Sequence, residues 1–306
     1  MGLIVTYTKK YRKNIGILIK LLRKPDVAFG LIILILFYSW SIIEGILQVI
    51  GSFIGKPDLG WILLPYNPFQ PHLSQSLRLP SLTHIMGTDD LGRDIFSRIL
   101  YAAPSDALIS LVVVGGGILI GGFIGLFAGF YGGKVEEFNM WLTDLFLAFP
   151  ALILAMVIEA TFGHGYIYAM IAMIIVWWPS YARLFRAEAI RIKNMKYIDA
   201  ALLSGLSKVD IIRRHMIRPA LNTILPYATL DLGNVILFYS MLSFLGLGQQ
   251  PPYPEWGSMV ALGLEYFPKW WWYSLMPGLV ILIIAVAAAL VGDGLRDILG
   301  GEEKWV

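Results

Sequence analysis

The chain has 306 residues, 57% of them hydrophobic and only 15% charged, with a net charge of +3 and a mean hydropathy of +0.68. Soluble domains carry about 25% charged residues, so the composition is that of a membrane protein with one core domain. The small net charge leaves no electrostatic footprint for a nucleic-acid partner, and the absence of Cys excludes disulfides, thiolate metal sites and cysteine nucleophiles.

A crossing helix needs about 20 apolar residues. Residues 1–26 form a basic tail carrying Lys9, Lys10, Arg12, Lys13, Lys20, Arg23 and Lys24. The apolar run behind it is long and has no small-residue cleavage site, so it reads as a first span, 27–50, and not as a cleavable signal peptide. A loop-like segment follows over 51–104, with Pro-rich LLPYNPFQP inside it. The remainder, 105–298, holds five more spans at 105–130, 138–160, 166–184, 222–247 and 272–292, ahead of a short tail, 299–306. Pro179 makes the fourth the weakest of the six. If the N-terminal tail is cytoplasmic, 19 of the 24 Lys and Arg residues fall on that side, including those of loop 185–221, and only Lys56, Arg78, Arg93, Arg98 and Lys269 fall outside. That asymmetry puts both termini in the cytoplasm. Trp270, Trp271 and Trp272 read as an interfacial belt before the last span.

The inner loop holds the stretch YIDAALLSGLSKVDIIRRHMIRPALNTILP (197–226). Its charges cannot sit in lipid, where each costs about 2.5–3.5 kcal/mol or more at the bilayer centre. Asp199 to Ser204 forms a short helix that Gly205 ends in a left-handed cap. Ser207 opens a second helix with Asp210 as its capping partner. Val209, Ile212 and Met216 make an apolar stripe, and Pro219 closes the helix. Such an amphipathic corner suits either anionic lipid or a soluble partner.

The stretch resembles the cytoplasmic coupling motif of ABC-importer permeases. Asp199-Ala200-Ala201 stands where that motif has Glu-Ala-Ala, followed by Gly205 and then His215-Met216-Ile217-Arg218, with Pro219 one residue late. GTDDLGRDIFSRILYAAPS (87–105) is similar to the GTDxxGRDxxSRxxYGAR of dipeptide/oligopeptide permeases, with Ala102 and Pro104 departing from it. MWLTDLFLAFP (140–150) is similar to that family's MRxxDxxLAFP, with Trp141 in place of Arg. LSFLGLG (242–248), PPYPEWG (251–257) and GDGLRD (292–297) complete the series, in family order.

The chain is thus identified as a C-type second permease subunit of that family. The resemblance implies an all-α protein of six transmembrane helices, with a coupling helix between spans four and five. It implies a B-type permease as heterodimer partner, two ATPase subunits and an extracytoplasmic binding protein that delivers peptide, all at the prokaryotic plasma membrane. Oligosaccharide is the alternative cargo. ATP-Mg belongs to the ATPase subunits and no cofactor to this chain. AGFYGGKV (128–135) lacks the first Gly and the Ser/Thr of a Walker A loop. The coupling residues would be Asp199, Ala200, Ala201, Gly205 and Ser207, with Asp210, Arg213 and Arg214 making polar contacts and Val209, Ile212 and Met216 docked.

Other polar residues have plainer readings. Asp144 reads as a packing or capping partner for Arg183. Asp231 and Asn234 share a face of span five, and read equally as path-lining or as helix packing. Glu44 and Glu159 near outer span ends read as wetted. Asp293, Arg296 and Asp297 anchor the last span. Gly115, Gly117, Gly121, Gly125 and Gly129 read as a small-residue packing stripe. Asp89, Asp90, Arg93, Asp94 and Arg98 recur at helical spacing, as an amphipathic outer helix that caps span two, while loop 51–86 is the better place for partner contact. The scattered His residues offer no metal site. An intramembrane aspartyl enzyme would need facing acids in defined motifs, and an ion-coupled carrier would usually show inverted repeats. Neither is seen.

Overall fold

Glycines at four-residue intervals bring two long helices together at the centre of the molecule. In the computed structural model, which describes residues 20–302, every named element among the described residues is helical. The α-helices are α1 (Pro25–Phe53), α2 (Ile95–Tyr131), α3 (Gly133–Leu147), α4 (Ala151–Phe162), α5 (Tyr166–Lys193), α6 (Lys196–Leu203), α7 (Lys208–Ile211), α8 (Ile217–Phe244), α9 (Trp256–Leu264) and α10 (Trp272–Glu302). A π-helical turn, Ile212–Met216, joins α7 to α8. Among the described residues five helices are long and apolar enough to cross a bilayer, or six if the bent pair α3–α4 is one span.

At 37 residues, α2 is about 55 Å long. A Cβ on Gly121 would lie 2.5 Å from the Trp178 carbonyl oxygen, one on Gly125 2.4 Å from that of Ala182, and one on Gly129 2.7 Å from that of Arg186. Gly117 meets the Tyr181 ring in the same way, whereas Gly115 faces open space and is not part of the stripe. Lipid tails are as apolar as side chains, so close backbone packing of this kind drives helix association in a bilayer. A first core surrounds this contact and takes in α4, α7 and α8. A second joins α1, the first turns of α2, α9 and α10. In α1, Val27, Gly30, Leu34, Phe37, Ser41 and Glu44 are buried at helical spacing, while Phe29, Ile32 and Leu36 on other faces stay exposed.

Pro150, Pro179 and Pro219 behave differently from one another. The expected third span is broken: α3 and α4 meet at 86°. Pro150 has no N–H to continue the ladder and disfavours helical geometry at Phe149. Pro179 breaks nothing, and α5 runs through it to Lys193. Pro219 does not close the second corner helix either, because the helical run continues from Lys208 to Phe244. The π turn lies just before Pro219, and the Tyr197 hydroxyl donates at 3.5 Å to the His215 carbonyl, the one Pro219 cannot satisfy.

The surface helix expected over 87–101 is also corrected. Residues 88–94 form a turn closed by a bridge between Thr88 and Asp94, and Asp94 N-caps α2 by accepting from Ser97 N at 2.8 Å. The charges of this turn face inward. Asp89 accepts from Arg93 Nε at 2.6 Å, Arg98 donates to the Pro68 carbonyl at 2.7 Å, and His84 Nδ1 meets Asp94 at 2.9 Å. Trp272 is buried, not interfacial; its indole N–H reaches the Thr88 carbonyl at 3.4 Å.

Gly125→Ala puts a methyl against the Ala182 backbone, which cannot move aside as a side chain can. Overpacking of this sort costs about 1–3 kcal/mol. Thermal unfolding in detergent should show a lower midpoint for Gly125→Ala and an unchanged one for Gly115→Ala, which has room.

Candidate functional site

The corner sits where α5 ends. After Lys193 the chain turns at Asn194 and Met195 into α6. Ile198 and Ala201 are buried and point α6 back at the first core. Gly205 takes φ +80°, with its N–H on the Leu202 carbonyl at 3.1 Å and the Leu206 N–H on the Ala201 carbonyl at 3.3 Å. That pair of bonds is a Schellman motif. Ser207 caps α7 by accepting from Asp210 N at 3.1 Å, and donates its own hydroxyl to Asp210 Oδ2 at 2.6 Å. Arg214 lies 3.6 Å from Asp210 on the next turn.

The expected apolar stripe is divided. Val209 is exposed, but Ile212 and Met216 are buried in this chain's own core. The π turn adds a residue to the helical repeat, and in it Ile212 and Met216 are the buried positions while Arg213 and Arg214 are exposed. Ile212 and Met216 are therefore turned into this chain's own core and not outward, contrary to the expected docked stripe. The apolar groups that the corner does expose are Leu203, 88% accessible, with Leu202 and Val209 beside it. Leu202 and Leu203 were overlooked in the sequence because they read as ordinary helix formers; their place directly before a Gly cap is the signal. Asp199, Ala200, Ser207, Arg213 and Arg214 share the exposed surface, and Ala201 does not.

The corner is also wired to the spans. Lys208 Nζ lies 5.4 Å from the centre of the Tyr131 ring and Lys193 Nζ 5.9 Å from that of Phe130, both at the last turn of α2. Glu136 of α3 pairs with Arg186 of α5. Arg183 donates to Asp144 at 2.7 Å, as expected from sequence.

Deeper in the bundle Asp231 accepts from Trp177 Nε1 at 3.1 Å and from Asn234 Nδ2 at 3.1 Å. Asn234 is exposed on this single chain, so the pair lies on a face open to lipid or to another chain. At the end away from the corner, Glu44 and Glu159 are fully buried, not wetted. Glu159 takes the Gly248 N–H at 2.7 Å and Glu44 takes the Gln48 amide at 3.2 Å. Asp106 in α2 is fully buried as well and was not singled out, although an acid inside an apolar run is itself a signal. Among the described residues no cluster of His, Cys, Asp and Glu could hold a metal ion.

Residues 121–301 match the family model for the binding-protein-dependent transport system inner membrane component. The chain belongs to this family. It is 40% identical over 246 residues to the probable D,D-dipeptide transport system permease protein DdpC of Escherichia coli (strain K12), covering 79% of this chain and 83% of the relative. It is 36% identical to the dipeptide transport system permease protein DppC of Alkalihalophilus pseudofirmus, over 84% of this chain and 85% of that one. The nickel transport system permease protein NikC of Escherichia coli (strain K12) is also 36% identical, over 84% of this chain and 93% of that one. Among solved structures, a chain of the MetNI methionine ABC transporter superposes with a TM-score of 0.55 at 15% identity, covering 66% of this chain and 96% of that one. That likeness is one of fold. The inner membrane component described here is a multi-pass cell-membrane protein, and partner permease and ATPase subunits are implied for it in general by its family.

Nothing lies within 4 Å of a Cβ added at Gly205, so a substitution there acts through the backbone alone. The left-handed conformation costs an L-residue about 1–2 kcal/mol, and more when the side chain is β-branched. Gly205→Val should therefore reach the membrane in normal amount yet abolish uptake; normal uptake by a well-expressed variant would sink the coupling assignment.

Proposed function

We propose that this chain is the second, C-type permease subunit of an ATP-driven importer of dipeptides and oligopeptides. The observation that carries the reading is the corner 196–211: two capped helices around a left-handed Gly, presenting Leu203 and Val209 outward beside Arg213 and Arg214. A lipid surface needs no such shape. A soluble ATPase with a cleft for a short helix does. One ATPase subunit docks here and another on the B-type permease that completes the translocation path. ATP-Mg is bound and hydrolysed on those subunits, and this chain carries no catalytic residue. Closure of the ATPases pushes on α6 and α7, and the rigid links from the corner to α2, α5 and α8 turn that push into a switch between two arrangements of the spans.

The docked corner makes its side of the membrane the cytoplasm, with both termini there, in accord with the Lys and Arg asymmetry. The segment 57–86 then faces outward. Its exposed Leu73, Leu79, Leu82 and Ile85 give an external binding protein an apolar surface to rest on. Asp231, Asn234 and Trp177 offer polar groups where the second permease would close the path.

Peptide is the cargo because most of the similar relatives are named as permeases of peptide transport. A metal complex is the second reading, favoured by an identity to a nickel permease of 36%, the same as to the DppC relative.

Purification from native membrane in mild detergent should bring down a second permease and two ATPase chains. In proteoliposomes with the extracytoplasmic binding protein encoded beside this chain, labelled dipeptide should accumulate with ATP and not without it. Recovery of the chain alone would overturn the importer reading. Accumulation of chelated nickel but not of dipeptide would overturn the cargo and leave the importer standing.

A further inference from the structure

At the end of the bundle away from the corner, two acids are buried together without a base. Asp106 of α2 is fully buried, and neither of its carboxylate oxygens has a hydrogen-bond partner. Glu255, which caps α9, is 1% exposed and spends its oxygens on Gly257 N at 2.8 Å and Ser258 N at 2.7 Å. The charge of Glu255 reaches Asp106. Around them stand three more buried groups without a completed hydrogen bond: the Tyr239 hydroxyl and the Ser240 and Ser243 hydroxyls, all from α8. Ser243 Oγ faces both Glu255 and Tyr239 yet closes full bonding geometry with neither. Tyr166 of α5 stacks edge-on to Tyr239, with ring centres 6.1 Å apart, and donates to the Ser105 carbonyl at 2.9 Å. Glu159 of α4 borders the group through Gly248. Among the described residues no basic side chain acts on either acid.

We propose that Asp106 and Glu255 form a buried proton-binding site that clamps α9 onto α2 and α8. Two carboxylates cannot both stay ionised in an apolar interior without a cation. Among the described residues no group of three or more His, Cys, Asp or Glu side chains could hold a metal ion. A proton needs no such set of ligands. Taken from water, it forms one O–H bond on a carboxylate oxygen. The clamped element is a real joint, since α9 packs on α8 and its first residue, Trp256, donates to the Ile99 carbonyl of α2 at 3.1 Å. The site thus ties docking of α9 to the pH on the face opposite the corner. Nothing in it depends on the cargo or on ATPase docking.

Burial pushes the Glu255 carboxyl up to about 7 from the ordinary 4.5 of a glutamate, against the pull of the Gly257 and Ser258 donors. Between those values the folded protein holds a proton that the unfolded chain has released, so this site's contribution to stability falls as pH rises from about 4.5 to about 7. The test uses the full chain with its copurifying subunits in lipid nanodiscs, as wild type, Asp106→Asn, Glu255→Gln and the double variant. Thermal midpoints are read from pH 4.5 to 8.5, alongside the infrared band of protonated carboxyls at pH 7. Expected is a gap between double variant and wild type that widens by several degrees towards pH 8, together with loss of part of the infrared band. Each single variant shows a smaller gap, so either one that folds suffices. A double variant with the wild-type pH slope and the wild-type band overturns the proposal. So does a wild type stabilised at pH 8 by sodium over choline only while both acids are present, which would make this a metal-ion site.

Discussion

The contact between α2 and α5 carries the rest of the structure. Inside a bilayer, apolar burial gives no preference for protein over lipid, and helices hold together by close packing and polar contacts. Here the closeness comes from Gly117, Gly121, Gly125 and Gly129, which let the α2 backbone approach carbonyls and side chains of α5. Both ends of interest hang from this pair. The last turns of α5 lead into the corner. Its first residue, Tyr166, reaches the Ser105 carbonyl beside Asp106. A push on the corner therefore meets two helices that cannot easily slide past each other, and moves them as one body.

The corner is built to transmit and not to flex. Helix α7 is continuous with α8 through the π turn, and the cationic heads of Lys193 and Lys208 rest on aromatic rings at the end of α2. Burial of Ile198, Ile211, Ile212 and Met216 anchors α6, α7 and the turn in one core. Only the tip around Leu203 and Gly205 projects. A partner that grips the tip thus acts on three spans at once, which is what a single short loop must do if it is to reorganise a bundle.

Much of this was legible in the sequence because it follows from local rules. The apolar runs mark the spans, the spacing of Gly marks the stripe, and Gly205 followed by Ser207 marks a stop and a start; Asp144 and Arg183 found each other as charges near span ends must. What was illegible depends on tertiary surroundings. Pro150, Pro179 and Pro219 look alike in sequence, yet the chain bends at the first, continues as helix through the second and forms a π turn before the third. The choice rests on neighbours able to satisfy a freed carbonyl, as Tyr197 does for His215. The charges of 89–98 kept helical spacing while forming a turn, because their partners lie on Pro68, His84, Tyr273 and one another. Trp272 resembled a belt residue until Thr88 was found folded over it.

The acids of the far end follow one logic that composition conceals. Between the end of α8 and the first turn of α9, the N–H groups of Gly248, Gly257 and Ser258 have no helical carbonyl to join. Glu159 accepts from Gly248, and Glu255 accepts from Gly257 and Ser258. Each carboxylate stands in for acceptors that helix or water would otherwise provide, because an unpaired N–H in an apolar interior is itself expensive. These acids are therefore backbone ligands before anything else, which explains their burial without any call on catalysis. Asp106 is the exception. It accepts from no backbone group and sits where the charge of Glu255 already falls. A carboxyl that makes no structural hydrogen bond, in a protein that buries its other acids only where they make one, is present for its proton.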